Sequence, residues 1–464
     1  MDERESRRIA LTVAAAFFME TLDASIISTA LPVIGAGFGT TALGVSASVT
    51  SYLVAMAVFV PAAGWAGERF GARKVFASAV GVFTLASLLC GLAPSLWALI
   101  AARVLQGAAA AFMSPVGRFV VLRETAKERI IEAIATITWP GLIAPVIGPA
   151  LGCLIVTHVS WRWIFLLNVP LGLIGIVLVL RHIPDRAPTE QRRFDTLGFV
   201  LTALALAALV EGLARLGGLD QSPLLPLSLV GFGTLATVAA VWHARRIDAP
   251  MLDLRAVAVP TFKLAVVTAG FISRVAINAS PFLLPLMFQI GFGYSPQQAG
   301  LLVLVYMAGN LLMKSATTPI LRRFGFRKVL TTNAALCAAT LFACGMLQPS
   351  TPQLLLYATL LVAGMTRSMN FTSIATLAFA DILAEQRAGA SALATMLQQV
   401  AMSMGVAFAA FALSLSQTLR GVPALEQTDF RYAWFAVGAL MLMALAGTAR
   451  LDRDAGAAIS ARQD

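Results

Sequence analysis

Arg69-Phe70-Gly71-Ala72-Arg73-Lys74-Val75 returns 254 residues later as Arg323-Phe324-Gly325-Phe326-Arg327-Lys328-Val329. The same offset, without gaps, carries Gly37-Phe38-Gly39 onto Gly291-Phe292-Gly293, Tyr52 onto Tyr306 and Cys90-Gly91 onto Cys344-Gly345. One offset kept across four separate landmarks marks an internal duplication. In both copies the basic stretch stands between two long apolar runs. The duplicated unit is therefore a set of apolar segments joined by short charged connections.

The length of those runs sets their role. A bilayer core about 30 Å thick needs about 20 apolar residues in a helix that rises 1.5 Å per residue. Reading outward from the repeat gives fourteen candidate spans, near 9–30, 45–67, 75–93, 96–117, 130–156, 163–180, 195–214, 222–243, 262–284, 297–319, 329–347, 353–378, 389–415 and 432–449. Composition agrees, since 58% of the 464 residues are hydrophobic and only 12% are charged. Soluble domains average about 45–50% and about 25%, so a soluble enzyme, a disulfide scaffold and a disordered chain are excluded. The fold class expected is an all-α polytopic membrane protein. The basic stretch follows the second span in the first copy and the tenth in the second. The second unit then begins at the ninth span, and the seventh and eighth are an insertion. This predicts six helices over 1–190, a two-helix insertion over 191–255 and six helices over 256–464. Parallel repeats of six spans, with a site between them near the midplane, are a transporter plan.

Orientation follows from the basic residues. With the N-terminus and its Arg4, Arg7 and Arg8 in the cytoplasm, only Arg162, Arg215, Arg420 and Arg431 fall on the opposite side. Arg103, Arg274, Lys314 and Arg367 fall within spans. That asymmetry is the positive-inside pattern, and it accounts for the net charge of +11 without nucleic acid. An even number of spans puts both termini in the cytoplasm. The first apolar run spans and lacks a cleavage pattern, so no cleaved signal peptide is expected. Cys90, Cys153, Cys337 and Cys344 lie in spans without redox or zinc spacing, and the three histidines lie far apart, so no metal site is expected.

Ionisable residues inside a bilayer are expensive and mark function by default. Asp23 lies about 21 Å along the first span and about 9 Å below the outer face, and Arg103 on the fourth span lies about 10 Å below the same face. At matching depth the two can pair, either as a proton-coupling device or as a structural ion pair. Glu20 near the midplane maps by the repeat onto Arg274 in the ninth span. The two are expected to face each other across the pseudo-twofold, the alternative being that each points into a packing interface. Arg274 and Arg367, with Gln106, Trp139 and Asn278, are the candidate cavity residues. Lys314 near a span end can snorkel, and Glu211 reads as interfacial.

The fifth span carries Trp139-Pro140-Gly141 and then Ala144-Pro145-Val146-Ile147-Gly148-Pro149-Ala150-Leu151-Gly152. Proline removes helical hydrogen bonds, and small residues at 144, 148 and 152 form a ridge for close helix approach. Pro140, Gly141, Pro145, Gly148, Pro149 and Gly152 are thus candidate hinge residues, the alternative being tight packing alone. The stretch 64–74 reads as a short loop whose Gly64, Glu68, Arg69, Gly71, Arg73 and Lys74 can clasp neighbouring helix ends as a cytoplasmic gate, or simply anchor the topology. The sequence has no phosphate loop and no segment long enough for a catalytic domain. An enzyme and an ATP-driven pump are therefore not expected, and the energy source left is an ion gradient.

At this point the chain resembles the major facilitator superfamily, and more narrowly its fourteen-span drug:proton antiporter branch of the EmrB/QacA type. The resemblance rests on Leu22-Asp23-Ala24-Ser25-Ile26-Ile27-Ser28-Thr29-Ala30-Leu31-Pro32, on residues 64–74 with Glu68 where aspartate is usual, and on Arg103-Val104-Leu105-Gln106-Gly107. It continues in residues 144–153, where Ala144 and Cys153 replace the usual glycines, and in Trp161-Arg162-Trp163-Ile164-Phe165-Leu166-Leu167-Asn168-Val169-Pro170-Leu171-Gly172. It implies the major facilitator fold and proton-driven export through the bacterial inner membrane, with Asp23 as a proton or substrate group and Arg103 as its basic partner. The function expected is proton-coupled antiport of small amphipathic molecules or drugs by alternating access. The alternative is a narrow exporter of an anionic or zwitterionic metabolite, which the buried arginines favour. The partners expected are a small-molecule substrate, protons and the lipid bilayer. No cofactor is expected; the assembly expected is a monomer, with a periplasmic adaptor as a candidate partner.

Overall fold

The computed structural model describes residues 3–125, 130–185, 193–216, 224–247, 250–383, 386–452 and 455. Among them every regular element is a helix. In lipid this follows from the backbone, because a lone helix satisfies its own N–H and C=O groups. The chain divides into two compact units, Met1–Thr196 and Leu197–Asp464.

The first unit contains α1 (Glu3–Ile26), α2 (Ala42–Phe70), α3 (Ala72–Gly91), α4 (Leu96–Arg123), α5 (Ile130–His158) and α6 (Asn168–His182). Thr41 and Ser95 cap α2 and α4 by accepting from the backbone N–H of Gly44 and Ala98, both at 3.2 Å, which satisfies donors that a helix start leaves free. The chain continues as α7 (Thr196–Arg215) and α8 (Leu224–Ala244), then α9 (Ala269–Leu286), α10 (Pro296–Phe324), α11 (Phe326–Met346), α12 (Gln353–Ala378), α13 (Arg387–Arg420) and α14 (Gln427–Thr448).

The duplication read from sequence is present in the packing. In the first unit α2 packs on α4, α1 on α5 and α6, and α3 on α4 and α6. In the second unit α10 packs on α12, α9 on α13 and α14, and α11 on α12 and α14. The 254-residue offset turns the first set into the second. Backbone conformation repeats as well. Gly39 and Gly293 have φ of 66° and 70°, and Gly71 and Gly325 have 89° and 73°, values that glycine adopts without steric cost. Close approach repeats too: a Cβ at Gly107 would lie 2.2 Å from the Tyr52 carbonyl oxygen, and one at Gly364 would lie 1.9 Å from that of Tyr306.

Among the described residues, thirteen helices are long and apolar enough to cross a membrane. The remaining long helix, α12, has 26 residues and the length to span, but Arg367, Ser368 and Asn370 at its middle dilute its apolar character. The stretch 64–74 is not a loop. α2 runs through Phe70 and α3 starts at Ala72, so Gly71 alone makes the reversal. Charged side chains end the apolar core without ending the helix, because they reach the solvated zone while their backbone continues. The span expected over 262–284 opens with a π turn at Lys263–Val267, and its helix runs past 284 into a second π turn at Met287–Gly291. The second follows Pro285, whose missing N–H breaks the regular hydrogen-bond ladder. The boundary expected at 190 and 191 lies outside the described residues. The other expected boundary meets the short turn Arg255–Ala258. α7 and α8 touch through glycine: a Cβ at Gly233 would lie 2.9 Å from the Leu209 backbone nitrogen, and one at Gly212 would lie 3.0 Å from that of Val230.

Candidate functional site

α1 brings Asp23 into the middle of the first unit, where it is 1% exposed. It meets Arg103 of α4, which is also fully buried: Nη1 donates to Asp23 Oδ2 at 2.6 Å. The second carboxylate oxygen accepts from Gln106 Nε2 at 2.9 Å and from Asn168 Nδ2 at 2.8 Å. Gln106 also donates to Ser87 Oγ at 2.8 Å and accepts from Arg103 Nη1 at 2.6 Å. Arg103 Nε donates to the Ser48 carbonyl at 3.3 Å, and its guanidinium lies 4.1 Å from the Tyr52 ring centroid. Side chains from α1, α3, α4 and α6 thus converge on one dry ion pair. An uncompensated charge at such a site would cost several kcal/mol. One donor is left over, because Arg103 Nη2 has no acceptor.

Glu20, one turn earlier on α1, is a separate acid. It is 6% exposed, and both of its oxygens accept from Ser114 Oγ, at 3.1 and 2.9 Å. A neutral hydroxyl is a weak partner for a carboxylate.

The same helix lies directly on the proline-rich α5. Ser25 Oγ donates to the Ala144 carbonyl at 3.3 Å, and Thr29 Oγ1 donates to that of Pro149 at 3.4 Å. A Cβ at Gly148 would sit 2.1 Å from Ser25 Oγ, and one at Gly152 would sit 2.7 Å from the Ile26 carbonyl oxygen. Small residues therefore let α1 and α5 touch backbone to backbone. Pro140, Pro145 and Pro149 all lie inside α5 without ending it. Gly141 has more room, with Thr21 Oγ1 at 3.9 Å. Trp139 is 58% exposed and stands apart from the Asp23 cluster, whereas Gln106 belongs to it.

Among the described residues the second unit has no equivalent ion pair. Arg274 on α9 is 2% exposed, and its guanidinium lies 5.9 Å from the Phe371 ring centroid. Arg367 of α12 reaches Asn278 Oδ1 through Nη2 at 3.4 Å. Lys314 is half-buried on α10. Glu211 on α7 pairs with Arg215 at an exposed surface.

At the basic repeat, Arg73 donates through Nη2 to the Leu180 carbonyl in α6. The equivalent Arg327 donates to the Ala449 carbonyl beyond α14 at 3.2 Å. Each repeat therefore ties the start of its third helix to the end of its sixth. Gly64, Arg69 and Lys74 are exposed, and Glu68 is half-buried. Among the described residues no group of three or more His, Cys, Asp or Glu side chains is placed to hold a metal ion.

Sequence reasoning missed Asn168, Ser87, Ser48, Tyr52 and Ser114. The signal for Asn168 in the sequence is a lone polar residue inside the apolar run Trp163-Ile164-Phe165-Leu166-Leu167-Asn168-Val169-Pro170.

With this geometry in hand, comparison with known proteins is informative. The family profile of the Major Facilitator Superfamily matches residues 13–406. MdtD of Escherichia coli O6:H1, whose name provisionally assigns it to multidrug resistance, is 36% identical over 445 residues, covering 95% of this chain and 94% of that protein. Its counterpart in Shigella flexneri is 35% identical over the same length. Among solved structures, a D-xylose-proton symporter superposes with a TM-score of 0.68 at 14% identity, covering 98% of this chain and 99% of that one. The nucleoside transporter NupG gives 0.67 at 14% identity, covering 96% and 100%. At that identity the structures speak to fold alone. The family match and the relatives along nearly the whole chain make this a multi-pass membrane carrier rather than an enzyme: the chain belongs to the Major Facilitator Superfamily.

Proposed function

We infer that the chain is a proton-coupled antiporter of the fourteen-span EmrB/QacA type, exporting small amphipathic molecules or drugs across the bacterial inner membrane by alternating access. The observation that carries this reading is the dry Asp23–Arg103 pair in a helix that also forms the α1–α5 seam. Protonating Asp23 removes the charge that compensates Arg103. The guanidinium must then find another anion or solvent, and the elements that hold it must shift. Ser25 lies two residues from Asp23 and donates into α5, so a movement of Asp23 reaches the proline-interrupted helix directly. Glu20, hydrogen-bonded to Ser114, is the second candidate proton carrier. Pro140, Gly141, Pro145, Gly148, Pro149 and Gly152 serve as the sliding seam, and Gly64, Glu68, Arg69, Gly71, Arg73 and Lys74 serve as the gate.

The distribution of basic residues supports cytoplasmic termini. The duplicated packing supports two six-helix bundles with α7 and α8 as an insertion. The MdtD relatives support drug-type cargo. The chain is taken to act as a monomer, with a periplasmic adaptor as a candidate partner.

The test is efflux of a substrate panel from cells expressing the chain, with and without a proton uncoupler. Extrusion that stops with the uncoupler while ATP is maintained is the expected result. Extrusion that continues undiminished would remove the proton from the mechanism.

A further inference from the structure

The helices α9 and α12 form a polar ladder inside the second unit. Ser273 Oγ donates to Asn370 Oδ1 at 3.1 Å, Arg274 lies over Phe371, and Arg367 reaches Asn278 Oδ1 at 3.4 Å. From Ser273–Asn370 to Asn278–Arg367 the contacts advance along α9 and retreat along α12, so the two helices run antiparallel. Arg274 and Asn278 are four residues apart, as are Arg367 and Phe371, so each pair shares a face of its helix. The two arginines therefore stand about one turn apart, roughly 6 Å along the axes. Arg274 lies near the middle of the apolar span Pro260–Gly291 and Arg367 near the middle of α12, away from the lipid headgroups.

The unmet atoms of this ladder are all donors. Arg274 Nε and Nη1, Arg367 Nε, Asn278 Nδ2 and Asn370 Nδ2 are buried without an acceptor. No ion pair to Arg274 or Arg367 exists among the described residues. Lys314 lies within electrostatic range of Arg367 and adds a third positive charge. The first unit answers its buried guanidinium with Asp23, whereas the second supplies none. Two like charges a turn apart, with donors pointed at nothing, destabilise the empty protein. A planar acceptor bearing one negative charge satisfies both deficits, and a guanidinium fork matches a carboxylate in geometry.

We propose that Arg274, Arg367 and the Asn278 amide form a carboxylate-binding subsite, and that the exported cargo carries a carboxylate beside its apolar body. The cargo assignment rests on the export reading above; the subsite does not, because it is read by binding alone.

The test uses the full-length protein purified in detergent. Binding is measured by calorimetry and by the thermal unfolding midpoint for 1-naphthoate, neutral 1-naphthamide, cationic 1-naphthylmethylamine and inorganic phosphate. The expected result is saturable binding of naphthoate, at least tenfold tighter than the amide or the amine. Arg274→Gln and Arg367→Gln should each weaken it at least tenfold. Arg274→Gln should also raise the midpoint of the ligand-free protein, because it removes an uncompensated cation. Naphthoate binding no tighter than the amide would overturn the proposal, as would unchanged naphthoate binding in both variants. Phosphate binding in place of naphthoate would also overturn it. A lower ligand-free midpoint in Arg274→Gln would show a structural partner for Arg274 and overturn it too. Should Arg274→Gln not fold, Arg367→Gln decides by the same readouts. Loss of uncoupler sensitivity in the efflux assay would refute antiport and leave this binding result standing.

Discussion

Replacing Asp23 by asparagine removes one charge and almost no volume, so its effect isolates the ion pair. The carboxylate accepts from three donors: Arg103 on one oxygen, and Gln106 and Asn168 on the other. An asparagine amide has one oxygen and one nitrogen. If its oxygen serves Gln106 and Asn168, its nitrogen faces Arg103 Nη1, donor against donor. If it is flipped, its nitrogen faces the two side-chain amides. Either way a fully buried Arg103 loses its counter-charge. Breaking one partner of a buried pair costs about 3–5 kcal/mol, a large part of the roughly 5–15 kcal/mol that holds a typical fold. Removing the other partner as well, in Asp23→Asn/Arg103→Met, eliminates the stranded charge and should recover much of the loss. Thermal unfolding of the purified protein, followed by tryptophan fluorescence in the wild type, both single variants and the double, reads the coupling. The double variant should unfold above Asp23→Asn. Equal midpoints for the wild type and Asp23→Asn, or strictly additive losses in the double, would refute the reasoning.

Three further outcomes follow from the same geometry. Gly152→Ala places a methyl group 2.7 Å from the Ile26 carbonyl oxygen and should block transport and lower thermal stability, whereas Gly231→Ala on α8, with nothing within 4 Å, should keep both; efflux and unfolding measured side by side check the contrast. Gly71→Ala and Gly325→Ala force φ of 89° and 73° on a residue with a Cβ, and each should lower stability by about 1–2 kcal/mol in denaturant titration. Arg255 beside Asp253 holds that carboxyl below the usual range, chiefly by its hydrogen bond. The pair's contribution is full above the ordinary carboxylate value and drains as pH falls through the lowered one. Arg255→Gln should therefore shorten the acid limb of the stability–pH profile, by a small, salt-sensitive amount at this largely exposed site.

Much of the fold was legible because it rests on one-dimensional signals. Apolar run length marks a span, and a gapless offset marks a repeat. The basic stretch at 69–75 and its copy at 323–329 mark a repeat that recurs in the helix packing and in the matched positive-φ glycines Gly39 and Gly293, and Gly71 and Gly325. Helical rise was enough to place Asp23 and Arg103 at one depth, because depth depends on residue count alone. It says nothing of rotation about the helix axis, and rotation is what brings Asn168 onto Asp23, Ser114 onto Glu20 and Ser87 onto Gln106. Charged residues misled the reading of 64–74, since they signal the edge of the apolar core and not the end of a helix. α12 shows the opposite limit: its length reads as a span, while Arg367 and Asn370 at its centre belong to a polar ladder that only tertiary packing reveals.

The central claim is that a carboxylate on α1 carries the proton that exchanges for cargo. Proteoliposomes holding the wild type, Asp23→Asn or Glu20→Gln, with a pH-sensitive dye inside, measure it directly as proton release when an exported compound is added. The account predicts cargo-driven proton movement in the wild type and its loss in at least one of the two variants. Proton movement of equal size in all three proteins would contradict it.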